Sequence, residues 1–458
     1  MTETTSVLGG TVRRKEDPAL IRGTGTYTDD VKLPGQLVAA FVRSPFAHAR
    51  ILSVDADEAK SMDGVWAVYT ADDVRDLGPL LAQVPVGQAR PLLGDGVVKH
   101  VGEAVVMVVA ENRYLAQDAA DAVFVDYDPL PAVVDMKAAR TDTVKVHEGL
   151  DSNTIITWSA HDWWPGVIEL EDAAPAIAAA KQRDDAIVVT HEMANQRLIP
   201  TAIEPRSVVA SWNPGYGRFD VVSSSQIPHA LAGAIATTFG IGSNMVHATA
   251  PEVGGGFGAK LNVYNDEILV CFASKDLGRP VKFTETRREA ATSTIQGRGW
   301  VATATIVGTR DGEILGYEFE GIADMGAYSQ NFTAAIPLLG LWVSAGQYNI
   351  PVSWVIHCVH THTQTTDAYR GAGRPEALYY IERMVDAYAR EIGMDPADVR
   401  KRNFWGNDQF PATNNTGLAI DSGDYATNLD VALELADYEG LKAMQAAARA
   451  DGKYIGIG

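Results

Sequence analysis

Short apolar runs at Leu37–Val42, Val65–Tyr69 and Ala104–Ala110 have the length and β-branched content of strands. Between the last of these and the extended run Phe124–Tyr127, Tyr114, Leu115, Ala119 and Ala122 recur at helical spacing within Asn112–Val123. Pro129 and Pro131 close the stretch, so residues 37–135 read as a small α/β unit. Residues 136–164 are polar, carry several Trp and His, show no period and read as a linker. Glu171–Lys181 is Ala-rich and helical, and Ala186–Thr190 reads as a strand. From about residue 200 strands and helices alternate, with Phe219–Val222, helical Ala230–Phe239 and Met245–Thr249 in turn. Leu261, Asn265, Ile268, Leu269 and Phe272 then predict a helix starting directly after a run of glycines and ending near Gly278 and Pro280. Val281–Thr286 is again a strand. Trp300–Val307 and Ile314–Phe319 flank a Thr-Arg-Asp-Gly turn as a hairpin, with Leu315, Tyr317 and Phe319 on one face and Glu318 and Glu320 on the other. Helices are expected at Glu376–Ile392 and Leu429–Ala450, and Tyr454–Gly458 reads as the first residues of a new strand.

Composition narrows the class. The chain has 458 residues, 46% of them hydrophobic and 21% charged, as in ordinary globular proteins of several domains. A net charge of −20 argues against nucleic acid and against anionic lipid. Cys271 and Cys358 are the only cysteines, which excludes a disulfide framework and any iron–sulfur cluster held by four thiolates of this chain. The start lacks the basic and apolar regions of a signal peptide, and runs such as Ala104–Ala110 are too short to span a membrane. A cytoplasmic protein without membrane insertion is the expectation.

The candidate chemistry lies in two glycine-rich stretches. Pro251-Glu-Val-Gly-Gly-Gly-Phe-Gly-Ala-Lys260 fits the loose dinucleotide pattern through Gly254, Gly256 and Ala259. A triphosphate loop needs Gly before the Lys and Ser or Thr after it, whereas Ala259 and Leu261 stand there. A dinucleotide loop needs an acidic residue roughly 20 positions on, and Glu285 comes too late. Three successive glycines followed by Phe-Gly let a backbone approach a ligand closely and present N–H groups to an anionic or oxo-rich partner. Asp367-Ala-Tyr-Arg-Gly-Ala-Gly-Arg-Pro-Glu376 places two guanidiniums before a helix that starts at a proline. Alternation along His357–His362 puts Cys358, His360 and His362 on one strand face, a metal-ligand pattern that short motifs mimic by chance far more often than they signal one. Gln226 ends a strand after three serines, and such an amide caps backbone or faces an oxo ligand.

Taken together, these stretches resemble the large molybdenum-binding subunit of the xanthine dehydrogenase, aldehyde oxidase and aerobic carbon monoxide dehydrogenase family. The resemblance runs from Arg22–Asp30 and Val42–Arg50 through Val101–Val106, Asp126–Pro131, Glu204-Pro-Arg206, Gln226–His229, Gly254–Lys260 and Ala323–Tyr328 to Ala368–Arg374. It implies an α+β chain with a tail over residues 1–16, an a/b hammerhead domain over 17–135 and a linker over 136–164. A mixed α/β first molybdopterin-binding domain over 165–405 and the truncated start of a second over 406–458 complete it. The resemblance also implies molybdenum held by a molybdopterin dithiolene, in the cytosine dinucleotide form, with no metal ligand from this chain. Gln226, Gly255, Gly256, Phe257, Gly258, Arg370 and Gly371 match the cofactor-binding positions, and Gln226 and Arg370 act there as supporting residues. Hydroxylation with water-derived oxygen sends two electrons to 2Fe-2S and FAD groups on small and medium partner subunits, in a dimer of heterotrimers.

Departures from the pattern bear on the substrate. Gly371 stands where carbon monoxide oxidisers carry a copper-binding cysteine. Leu261, Trp354 and Ala372 stand where purine hydroxylases place a glutamate, an arginine and a stacking aromatic, so the expected pocket is apolar and suits aldehydes or N-heterocycles. The family's catalytic glutamate is expected beyond Gly458, supplied by a missing C-terminal half, so the chain alone is expected to be inactive. Two other readings stay open: a nicotinamide-dependent dehydrogenase using Gly254–Ala259, and a non-catalytic cofactor-binding or maturation module.

Overall fold

The computed structural model describes residues 10–80, 82–159 and 173–458. The expected tail therefore falls partly outside the described residues, as does the stretch between residues 160 and 172.

Strands β1 (Leu37–Arg43), β2 (Ala49–Asp55), β3 (Val65–Tyr69), β4 (Val97–Val98), β5 (Ala104–Ala110) and β6 (Phe124–Pro129) come from the N-terminal part. β7 (Thr154–Ser159), β8 (Ile187–Asn195), β9 (Ser207–Asn213), β10 (Arg218–Ser223), β11 (Val246–Thr249) and β12 (Val281–Thr284) follow. The long strands are β13 (Trp300–Gly308), β14 (Ile314–Gly326) and β15 (Val352–His360).

The N-terminal unit does not close on itself. β1 pairs in parallel with β12, Leu37 opposite Val281, and so joins two regions of the chain into a seven-stranded sheet of order β11-β10-β9-β12-β1-β5-β3. β5 explains why such a sheet is stable. Every residue of Ala104–Ala110 is buried, with Met107 and Val109 in one core and Val106 and Val108 in another, as expected of a strand covered on both faces. Strands β4-β2-β6 form a small separate sheet.

The remaining long strands form a five-stranded sheet of order β7-β15-β14-β13-β8. Its core holds Trp300, Tyr317, Phe319 and Trp354, and the helix Arg374–Ile392 covers it with Tyr380, Ile381, Met384, Val385 and Tyr388. That helix has Pro375 in its first turn and ends on Gly393 in the left-handed region, the two signals that fix its length. Each buried aromatic or aliphatic side chain on this face contributes about 1.5–3 kcal/mol.

Several expectations are corrected. The segment read as a linker contains the helix Met136–Ala139 and β7, which pairs antiparallel with β15, Ile156 opposite Cys358. β7 is a half-polar edge strand, and an edge strand lacks the apolar alternation that announces a buried one. The helix after the glycines starts only at Asn265, because Glu267 Oε2 accepts the Tyr264 N–H at 2.9 Å and caps it there. The C-terminal helix is two helices, Tyr425–Leu435 and Tyr438–Ala450, broken where Asp437 adopts φ +49°. Residues 453–458 form no strand. Of the helix expected at Glu171–Lys181, the first two residues lie outside the described residues and Ala174–Ala180 is helical.

Candidate functional site

β10 ends in three buried serines, Ser223, Ser224 and Ser225, which deliver Gln226 to an exposed position at the sheet's edge. β11 ends at Thr249 and leads into the 251–260 loop. There Gly255, Phe257 and Gly258 take φ +97°, +53° and +95°, and the non-glycine residue among them marks a loop held against its local preference. A Cβ on Gly256 would lie 2.4 Å from Gln226 Oε1, and one on Gly258 only 2.0 Å from the Ala368 carbonyl oxygen. The glycines thus let two other parts of the chain close onto the loop.

The first is Gln226, whose side-chain carbonyl accepts the Gly258 N–H at 2.9 Å while its backbone N–H donates to Lys260 O at 2.8 Å. The second is the 367–374 loop, in which Gly371, Ala372 and Gly373 take φ +107°, +47° and +84°. The Arg370 N–H donates to Phe257 O at 2.9 Å, and the Arg370 guanidinium lies 5.7 Å from the Phe257 ring centroid. Gln226, Phe257 and Arg370 are all exposed, so the two expected supporting residues and one expected cofactor-binding residue come together.

Beneath the loops lies a layer of buried charge. Glu204 Oε2 accepts from the Gly254 N–H at 2.7 Å, the Ser224 hydroxyl at 2.8 Å and Lys260 Nζ at 2.7 Å. Arg206 pairs with both oxygens of Asp266 at 2.8 Å, lies 3.0 Å from Glu285 and stacks 3.6 Å over the Tyr264 ring. Burial works against the Arg206 charge, yet Asp266 and Glu285 outweigh it and hold the guanidinium protonated. Asp367 accepts the N–H groups of Ala368 and Phe332, and burial pushes its carboxyl up to about 6. Glu204 was visible only as part of a motif; its role depends on partners 50 and 56 residues away, which no local pattern announces.

The expected substrate wall is partly corrected. Leu261 and Ala372 are half-buried against the core of the five-stranded sheet. Trp354 is only 1% exposed and stacks on Phe319 with centroids 4.8 Å apart, so in this structure it packs in the core of the five-stranded sheet. Its large apolar ring on an inward position of a central strand is what takes it there. A cleft of about 380 Å³ lies nearby, lined by Leu77, Pro79, Leu80, Ala234, Val263 and Asn331. Asn331 ties it to the loop, since its Nδ2 donates to Leu261 O at 2.8 Å.

Other candidates resolve differently. His360 Nδ1 bonds Gly326 O at 2.7 Å and its Nε2 accepts from the Gln88 N–H, while Cys358 is fully buried in the core. Among the described residues no group of three His, Cys, Asp or Glu has the arrangement to hold a metal ion. The Gly254–Ala259 loop does not open a helix as a dinucleotide loop does, because four residues separate Lys260 from Asn265 and Glu267 occupies that helix's N-terminus.

Residues 154–404 match the molybdopterin cofactor-binding domain, and residues 22–131 match the a/b hammerhead domain of aldehyde oxidase and xanthine dehydrogenase. The chain belongs to the molybdenum-binding large subunits of the xanthine dehydrogenase family. It is 36% identical over 457 residues to the carbon monoxide dehydrogenase large chain of Hydrogenophaga pseudoflava, covering 95% of this chain and 55% of that one. The nicotine 6-hydroxylase large subunit of Paenarthrobacter nicotinovorans is 31% identical, with 99% and 55% covered. The structure of quinoline 2-oxidoreductase from Pseudomonas putida 86 superposes with a TM-score of 0.90 at 32% identity, over 97% of this chain and 56% of that one. The chain therefore spans about half the length of the relatives it matches.

The residues present fit such a group. Gly254–Gly256 let the backbone pack directly against Glu204, Phe257 and Gln226, and Gln226, having spent its carbonyl on Gly258, keeps its amide N–H₂ for an oxygen acceptor. Arg370 adds an exposed cation beside it. Among the described residues no helix is long and apolar enough to cross a membrane.

Proposed function

We propose that this chain forms the hammerhead and first cofactor-binding portion of a molybdenum hydroxylase acting on an aldehyde or an N-heterocycle. The observation that carries the reading is the closure of the two glycine loops on each other beside the free amide of Gln226. A molybdenum–pterin group bound there, in the cytosine dinucleotide form, supplies an oxygen donor derived from water and takes up two electrons.

Gln226 donates N–H to an oxygen of that group, and Arg370 places a planar cation next to it. The N–H groups of the 254–258 stretch other than those of Gly254 and Gly258, which are paired within the protein, would serve the same ligand. Leu261 and Ala372 present apolar side chains and offer no handle for a purine's carbonyls. Relatives named for nicotine and quinoline support a ring carbon next to nitrogen as the reacting centre. Gly371 speaks against a copper thiolate, since any side chain there would meet the Pro375 ring at 2.4 Å. Glu204 and Asp367 are both engaged in hydrogen bonds beneath the loops and are not offered as the proton acceptor. The electrons leave through 2Fe-2S and FAD groups on partner subunits.

The test is purification of the assembled enzyme, assay of its molybdenum and pterin, and dye-coupled oxidation of benzaldehyde, quinoline, xanthine and carbon monoxide. Stoichiometric molybdenum with turnover of the first or second substrate is expected. An assembled protein free of pterin, or one that turns over xanthine or carbon monoxide preferentially, overturns the reading.

A further inference from the structure

Arg298 lies two residues before the first residue of β13, between two glycines, in the left-handed region at φ +65°. It is buried, and its guanidinium is spent on the second glycine loop. Nη1 donates to Tyr369 O at 2.9 Å and Nη2 donates to Arg370 O at 2.9 Å. Cζ lies 4.8 Å from the Tyr369 ring centroid. The planar fork is what allows one side chain to hold two successive carbonyls, a geometry that an ammonium does not reproduce.

Two further features set the fork in place. Glu376, 1% exposed in the first turn of the Arg374–Ile392 helix, approaches Nη1 to 3.3 Å and balances the buried charge. The helix N-terminus favours a carboxylate at that position. Gly297, one residue before Arg298, is packed so closely that a Cβ would sit 2.4 Å from the Tyr369 Cβ. The loop held in this way is the one whose Arg370 N–H reaches Phe257 O in the other loop.

We propose that Arg298, seated by Glu376, is a positioning residue: it pins the Tyr369 and Arg370 carbonyls so that the Arg370 N–H closes onto Phe257 and sets the separation of the two loops. The inference rests on the reading of those loops as a cofactor cradle. Arg298 acts through Arg370, its Nη1 and Nη2 groups donating to Tyr369 O, Glu376 and Arg370 O within the protein.

The test compares wild type, Arg298→Lys and Glu376→Gln in the assembled enzyme. Hydrogen exchange is followed in peptides covering residues 254–260 and 366–374, with the β13–β14 hairpin as an internal control. Pterin release and the electron paramagnetic resonance line shape of the reduced metal are recorded on the same samples. For Arg298→Lys, exchange in both loops is expected to quicken by about tenfold or more, as two hydrogen bonds lose their geometry. The hairpin should stay at the wild-type rate, pterin should leave faster and the line shape should shift. Glu376→Gln should move every reading the same way by less. Wild-type exchange in both loops of Arg298→Lys overturns the proposal, and so does loosening shared equally by the hairpin. If the wild-type enzyme carries no pterin, the cofactor reading fails while the exchange comparison still decides the role of Arg298.

Discussion

The Gln226 side-chain carbonyl accepts the Gly258 N–H at 2.9 Å, and this one bond fixes which end of the amide remains available. A backbone N–H takes only an acceptor, so the N–H₂ end is the one left for a ligand. Replacement by glutamate keeps the bond to Gly258 and removes the donor; replacement by alanine removes both. Gln226→Glu should therefore hold the loop as in wild type while turnover of the assembled enzyme falls by roughly 10²-fold, the scale of a lost transition-state donor. Gln226→Ala should in addition quicken hydrogen exchange at Gly258. Equal exchange in the two variants counts against the division of roles.

Gly256 and Gly258 face obstacles of different kinds. A Cβ at Gly256 meets the far end of the Gln226 side chain, which can rotate away, whereas a Cβ at Gly258 meets the Ala368 backbone carbonyl. Gly258 also sits at φ +95°, where an alanine is strained. Gly258→Ala should thus cost about 2 kcal/mol or more in urea unfolding and open the contact between the loops. Gly256→Ala should leave stability within about 1 kcal/mol of wild type and act chiefly on Gln226. Measuring both midpoints alongside cofactor content separates the two effects.

These sites differ in how far the sequence disclosed them. The glycines, Gln226 and Arg370 were legible because unusual composition at a strand end or helix start has few other uses. β5 and the Arg374–Ile392 helix were legible from period and length. β2 and β7 were not, because half-polar or edge strands lack a burial pattern of their own and are decided by the partner strand. That Trp354 packs on Phe319 was not legible, because a position in a motif does not say which face of a strand it occupies. Arg298 and Glu376 lie 78 residues apart, and their pairing exists only once two sheet edges and a helix have met.

The Arg206 cluster predicts a large and specific loss. Asp266 makes two bonds of 2.8 Å to a guanidinium that is 5% exposed, with Glu285 as the second carboxylate. Removing one partner leaves buried positive charge poorly compensated, at a cost of about 3–5 kcal/mol. Asp266→Ala should show that loss in denaturant unfolding, whereas Asp266→Asn, which retains one acceptor, should lose less. Because the cluster lies under the glycine loop, Asp266→Ala should also lower cofactor content, and a variant with normal stability contradicts the account of the cluster.

Glu267 gives the pH dependence a sign that can be isolated. Burial, with the neighbouring Asp266 charge, pushes its carboxyl up from 4.5 to about 7, while its oxygens accept from Ser223 and Tyr264. The folded chain then binds more protons at this site than the unfolded chain between about pH 4.5 and 7. The stability it contributes in acid is lost as pH rises through that window, by about 3 kcal/mol in all. Three histidines act in the opposite sense. Burial pushes His147 and His362 down to about 3 and His360 to about 4, so all three stay neutral in the folded protein, and stability is lost as pH falls below about 6.5. Each contributes about 1.4 kcal/mol per pH unit, so acid destabilisation should win below pH 6 even with Glu267 opposing it. Glu267→Gln removes only the opposing group. Its stability relative to wild type should therefore climb by up to about 3 kcal/mol between pH 4.5 and 8, read from urea midpoints across that range. A difference that does not change with pH would mean that Glu267 is ionised in the folded protein, and that the polar layer under the glycine loop carries one more charge than the structure assigns to it.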